Sequence, residues 1–172
     1  MLSPNLEKLL NDQINHEFFS EYQYLAATSY FESIELDGFA NFFYVQSQEE
    51  HFHAMKIFNF VNEKNGTVIL MPIKAPKNKF DSVMNVFQVS LEQERFITKC
   101  INELMDAAIK ENDHSVRTFL EWYVNEQVEE ENLILNKIGK LELIGGKGDG
   151  LLTLDREFAN RRFDGAGHKV EV

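Results

Sequence analysis

Apolar side chains return at intervals of three and four along four long stretches of this chain, the periodicity of one buried helical face. The first stretch carries Leu10, Ile14, Tyr24, Thr28 and Phe31, and the second Phe39, Phe43, Ile57 and Phe60. The third carries Val83, Phe87, Ile97, Ile101 and Leu104, and the fourth Val116, Leu120, Tyr123 and Ile134. Most of the Pro and Gly residues fall between these stretches and punctuate them. Ser3-Pro4 reads as an N-cap and first helical residue, and Gly66 as a left-handed residue closing the second helix. The pattern predicts helices over residues 4–36, 39–65, 81–111 and 115–143, and a short amphipathic fifth helix over 150–161 after a Gly-rich break. Residues 162–172, which include His168, form a tail predicted to be disordered.

The connections decide how these helices are arranged. Tight turns join the first helix to the second and the third to the fourth, so each pair is antiparallel. The segment 66–80 is different, because at roughly 3.3 Å per residue it can run the length of a whole helix. The predicted fold is therefore a single all-α domain spanning 1–172. It is a four-helix bundle with one long crossover loop between the second and third helices and a short C-terminal fifth helix. The apolar run Val68 to Met71 in the crossover would cover the bundle or meet a partner.

Each helical seam is interrupted at mid-height by polar residues. The first seam holds Glu17 and Glu21, the second Gln46, Glu50 and His53, the third Ser90 and Glu94, and the fourth Gln127 and Glu130. Any one of these glutamates alone would read as a solvated surface charge, and His53 alone as a satisfied core histidine. Four helices of similar length bring Glu17, Glu50, Glu94 and Glu130 to one level, where desolvation and mutual repulsion forbid four bare charges. Either protons or cations must sit among them. Hard oxygen donors with one imidazole fit two iron ions and a bridging carboxylate best, although manganese or zinc would find the same donors. Glu50 and His53, three residues apart, project from one helical face. Tyr24 lies two turns beyond Glu17 on the same face, a core aromatic within reach of a ligand carboxylate. His16, His51, His114 and Glu92 are read as solvent-facing.

Charge and cysteine usage narrow the function. The formal net charge of -11 disfavours a nucleic-acid surface and favours cations. A lone cysteine, Cys100, forms neither an internal disulfide nor a thiolate metal site, which points to a reducing, cytoplasmic setting. No apolar run is long enough to span a membrane, and the N-terminus lacks a signal-peptide pattern.

Several segments together make the chain resemble the ferritins, specifically the haem-free bacterial type. They are Asn15-His16-Glu17 with Tyr24 seven residues on, Glu49-Glu50-His51-Phe52-His53, Leu91-Glu92-Gln93-Glu94 and Glu126-Gln127-Val128-Glu129-Glu130. The resemblance spans essentially the whole chain, short fifth helix included. It implies that Glu17, Glu50 and His53 hold one iron, with Glu50 bridging to a second held by Glu94 and Glu130. It also implies that Gln127 orients bound dioxygen or water, and that Glu49, Glu126 and Glu129 form a third iron site. Tyr24, with Trp122 farther off, would supply an electron. The implied activity is that of a ferroxidase, oxidising Fe(II) to Fe(III) with dioxygen or peroxide. The product would be stored as ferric oxyhydroxide inside a homo-oligomeric 24-subunit shell, with Leu151, Leu154 and Phe158 of the fifth helix lining four-fold contacts.

Related families fit less well. Bacterioferritins carry a second Glu-x-x-His pair and a haem-binding methionine, where this chain has Gln127-x-x-Glu130 and Phe52, so no haem is expected. Rubrerythrins need a Cys-x-x-Cys domain. Two other functional classes remain as rivals: a storage cage that nucleates mineral without a working oxidation site, and a di-iron oxidase acting on an organic substrate.

Overall fold

A computed structural model of the chain describes residues 1–146, 148–163 and 165; the predicted tail, with His168, lies largely outside them. Five helices follow in order: α1 (Pro4–Ser33), α2 (Asp37–Glu63), α3 (Val83–Lys110), α4 (His114–Leu143) and α5 (Gly148–Phe158). No strand occurs among the described residues, and none of these helices is long and apolar enough to cross a membrane.

Local chemistry sets the helix ends. Ser3 caps α1 by accepting from the Leu6 N–H at 3.1 Å, with Pro4 at the first helical position. Ser82 caps α3 by accepting from Asn85 N–H, and Asp113 caps α4 by accepting from Ser115 and Val116. The second helix closes on Asn65, with φ of 57°, rather than on Gly66 as the sequence predicts. Gly66 is needed for closeness instead: a Cβ there would lie 3.0 Å from Leu2 and 3.1 Å from Val61.

The crossover between α2 and α3 runs along α1 and is strapped to it twice. Asn11 donates to Thr67 O at 2.9 Å and accepts from Ile69 N–H at 2.6 Å. Gln23, about 18 Å farther along the helix at 1.5 Å per residue, donates to Lys77 O and accepts from Lys77 N–H. Within the apolar run, Val68 packs on the bundle while Ile69 and Leu70 remain exposed.

The apolar core is divided in two. One cluster, around Phe31, Phe39, Phe43, Phe87 and Ile134, fills the end of the bundle where α5 docks. The other, around Leu6, Leu10, Ile57, Ile101, Leu104 and Leu120, fills the opposite end. Each such side chain contributes roughly 1.5–3 kcal/mol through burial, and the two clusters clamp the polar layer between them. The fifth helix differs from its prediction: Leu154 and Phe158 are buried against this bundle, Phe158 meeting Phe39 at 4.8 Å and Phe42 at 5.1 Å. They are therefore not available to line a contact between subunits, and Leu151 is half-buried on the same cluster.

Candidate metal centre

Between the two apolar clusters each long helix contributes a carboxylate that is at most 1% exposed: Glu17, Glu50, Glu94 and Glu130. Helical spacing aligns them, since each lies three or four residues from an apolar seam neighbour or from another member of the layer. One turn beyond Glu50, His53 places Nδ1 3.7 Å from Glu50 Oε2. Ligand atoms of Glu17, Glu50 and His53 lie within 4.8 Å of one another, a spacing suited to a single ion.

Neutral donors hold the carboxylates in place. Tyr24 donates its hydroxyl to Glu94 Oε1 across the bundle. Gln127 Nε2 donates to Glu94 Oε2 at 3.1 Å, and also approaches the Glu94 carbonyl and Thr98. Gln46 Nε2 donates to Glu130 Oε2 at 2.9 Å, and Gln13 Nε2 to Glu17 Oε1 at 2.8 Å. Tyr123 donates to the backbone carbonyl of His53 at 2.8 Å, fixing the turn that carries the imidazole. After these bonds, Glu17 Oε2 and Glu50 Oε1 remain buried without a hydrogen-bond partner. A buried anionic oxygen in that state is costly unless a proton or a cation meets it. The donor set of carboxylates and one imidazole at Glu17, Glu50 and His53 could meet that need with a metal ion.

Proton affinities report the same crowding. Burial, followed by the charge of neighbouring carboxylates, raises Glu50 well above the usual carboxylate range. Burial raises Glu17 to about 7, partly offset by the hydrogen bond from Gln13. Burial and then Glu130 raise Glu94 to about 8, against the opposing bonds from Tyr24 and Gln127. The charge of Glu17 is among the causes that raise Glu50, so the two carboxyls disfavour being ionised together. The metal-free layer thus holds protons in the places that cations would take. Burial also raises Tyr24 well above the ordinary phenol value, so it stays a neutral donor.

Other residues singled out from the sequence are placed less centrally. Glu21, expected in the seam, points outward and meets His51 Nδ1 at 3.1 Å, while Ser20 occupies the buried position on that turn. His16, expected in solvent, is half-buried edge-on against Phe96 at 5.0 Å, and burial lowers its pKa. Trp122 stands 5.3 Å from His53, with Lys56 Nζ 3.9 Å over its indole face. Cys100 is half-buried, and burial pushes its thiol up to about 11, so it is a poor ligand and nucleophile.

Glu49, Glu126 and Glu129 have separate surroundings. Glu49 is buried and ion-paired with Arg161 at 2.5 Å, Glu126 Oε1 lies 4.0 Å from His53 Nε2, and Glu129 is exposed. Among the described residues the one group of three acidic or imidazole side chains within metal-binding distance is Glu17, Glu50 and His53. The sequence reading did not identify Gln13, Gln46 or Tyr123 as supports of the site, although Gln46 and Tyr123 stand in its seams. It also passed over Arg161.

Comparison with known proteins places the chain in context. A family model described as a ferritin-like domain matches residues 7–144. A bacterial non-heme ferritin of Staphylococcus aureus is 38% identical over 164 residues, covering 95% of this chain and 99% of the relative. A bacterial non-heme ferritin of Staphylococcus haemolyticus has the same identity over the same length. Among solved structures, an engineered closed form of the Archaeoglobus fulgidus ferritin superposes with a TM-score of 0.93 at 45% identity, covering 95% of this chain and 99% of that one. The open-pore ferritin of the same archaeon superposes with a TM-score of 0.92 at 45% identity, covering 94% of this chain and all of that one.

Proposed function

The chain belongs to the ferritin family, and from that premise we propose that it stores iron, oxidising Fe(II) to Fe(III) at the buried carboxylate layer and keeping the ferric product as oxyhydroxide mineral inside a 24-subunit shell. The observation that carries this reading is the layer itself, four carboxylates at most 1% exposed with two buried oxygens left without hydrogen-bond partners. In this reading the whole chain forms one ferritin-like unit, acts in the cytoplasm and uses no haem.

Iron is the substrate of this reaction. Glu17, Glu50 and His53 receive one Fe(II), and Glu50, Glu94 and Glu130 the other, Glu50 lying between them. Each Fe(II) gives up one electron. A pair together supplies the two electrons and, with two protons, takes dioxygen to hydrogen peroxide or hydrogen peroxide to two waters. Holding the two ions on neighbouring ligands makes this a single encounter with the oxidant. Anionic oxygen donors stabilise the ferric product more than the ferrous substrate, which favours the oxidation. The protons held by Glu17, Glu50 and Glu94 leave as iron enters, so metal loading and proton release are linked. Gln127 and Tyr24 keep Glu94 in register, and Tyr24 is close enough to Glu94 to serve as an electron donor to the site.

Aerobic addition of Fe(II) to the metal-free protein, with ferric absorbance followed in time and the product run on a sizing column, tests the proposal. Fast oxidation that is lost in Glu50→Ala, with iron coeluting with a large shell far beyond two ions per subunit, supports it. Oxidation at an unchanged rate in Glu50→Ala would leave a cage without a working centre. Uptake that stops near two irons per chain in a small oligomer would point to a di-iron enzyme with another substrate.

A further inference from the structure

Beyond the end of α5 the chain returns to α2 and inserts one side chain beside the metal layer. Arg161 Nη2 lies 2.5 Å from Glu49 Oε2, and both groups are largely removed from solvent, at 13% and 5% side-chain exposure. The pairing does not depend on Glu49 alone. Arg161 Nη1 donates to the Phe42 carbonyl at 3.2 Å, and its guanidinium lies 4.6 Å over the Phe42 ring. Asn41 Nδ2 donates to the carbonyls of Phe158 at 3.0 Å and Arg161 at 3.1 Å, which fixes the backbone on either side of the turn. The guanidinium is therefore delivered to Glu49 by contacts that would persist without it.

Glu49 directly precedes Glu50 in the chain, and it is one of the three residues to which resemblance assigns a third iron. The structure gives its carboxylate a different cation. An arginine stays charged at any working pH, and its planar fork matches a carboxylate. A divalent ion placed on the same carboxylate oxygen would face a positive charge at hydrogen-bonding distance in a poorly screened environment. Loading such an ion requires Arg161 to leave, and with it the cover over Phe42.

We propose that Arg161 is the built-in counter-cation of Glu49 and limits each subunit to the two ions of the buried layer by occupying the carboxylate that a third would need. The inference rests on the reading of that layer as the iron site. It makes Arg161 a specificity-determining residue that acts through Glu49 and touches neither iron nor oxidant.

Calorimetric titration of the assembled, metal-free protein with Zn(II) counts the ions directly. The wild-type protein is expected to bind two per subunit, Arg161→Ala and Arg161→Gln three, and Arg161→Lys two. Glu49→Gln combined with Arg161→Ala should return the count to two. Three ions in the wild-type protein would overturn the proposal without recourse to any variant. Two ions in an Arg161→Gln protein of native helicity and shell size would overturn it as well. A wild-type protein that binds no ions, or whose two ions survive Glu50→Ala, would sink the reading of the buried layer instead.

Discussion

Gln46 reaches from α2 to α4 and donates its side-chain amide to Glu130 Oε2 at 2.9 Å, with Gln46 itself fully buried. The bond ties one oxygen of Glu130 to a neutral amide, so the amide helps to orient a proposed ligand without being one. Supporting partners of this kind typically matter 10–100-fold in metal affinity. Gln46→Leu, similar in size and without the donor, is expected to weaken Co(II) binding by about 10-fold. An affinity unchanged in a competition titration would show that Glu130 is held by packing alone.

Tyr24 acts on Glu94 in the same way, but its effect is on proton affinity. Its hydrogen bond opposes the burial that lifts Glu94 to about 8. Removing it in Tyr24→Phe withdraws a bond to a charged acceptor, so Glu94 should hold its proton more tightly by about one pKa unit. A ligand that must lose a proton then needs a higher pH. The pH at which Fe(II) oxidation reaches half its maximal rate should move up by a similar amount in Tyr24→Phe. A lower rate with an unmoved pH profile would assign Tyr24 to electron supply and not to the tuning of Glu94.

The helices and the level of the metal layer were readable from sequence because they depend on periodicity, which is local. Glu17, Glu50, Glu94 and Glu130 stood out because an acid inside an apolar seam is costly and needs a reason. The misplacement of Glu21 has the same origin. Steps of three and four are both allowed, and the step from Glu17 through Ser20 to Tyr24 fits the buried face better than the one through Glu21. A small serine at that position carried no signal against it. The apolar stripe of α5 was evident, but a stripe does not name its partner, and Leu154 and Phe158 turned out to cover their own bundle. Cross-helix bonds such as Gln46 to Glu130, and the pairing of Arg161 with Glu49 across 112 residues, depend on three-dimensional register and leave no spacing to find.

Protons trapped in the layer link pH to stability in a definite direction. Glu17 and Glu94 rise from an ordinary value of 4.5 to about 7 and about 8 on folding without metal. The folded state therefore binds protons more tightly than the unfolded state. Their contribution to stability is fully present below about 4.5 and is lost as pH rises through about 7 to 8. The metal-free protein should unfold at progressively lower urea concentration from pH 5.5 to about 8.5, while a Zn(II)-loaded sample should not follow this trend. Zn(II) binding at pH 7 should release protons, seen as a binding enthalpy that varies with the ionisation enthalpy of the buffer. A metal-free protein that gains stability over this range would show that the carboxylates are already ionised.

The fifth helix is held by a bond that also completes the second. Leu36, at the N-cap of α2, offers no side-chain acceptor, and the first free N–H groups of that helix are met by Asp155 of α5. Asp155 Oδ1 accepts from Gly38 at 2.8 Å and Phe39 at 3.0 Å, a negative charge at the positive end of the helix dipole. Gly38 permits the approach, because a Cβ there would stand 1.6 Å from the Asp155 carbonyl oxygen. Asp155→Ala leaves both donors without that acceptor and should cost roughly 1–2 kcal/mol, with amide exchange accelerated at Gly38 and Phe39. Asp155→Asn keeps an acceptor oxygen and should recover most of the protection. Gly38→Ala should be more severe than either, since backbone must move to admit the methyl group. It should free the end of α5 and with it the docking of Arg161. Unchanged exchange at Gly38 in Asp155→Ala would show that solvent replaces the cap without loss, and that α5 stays in place through Leu154 and Phe158 alone.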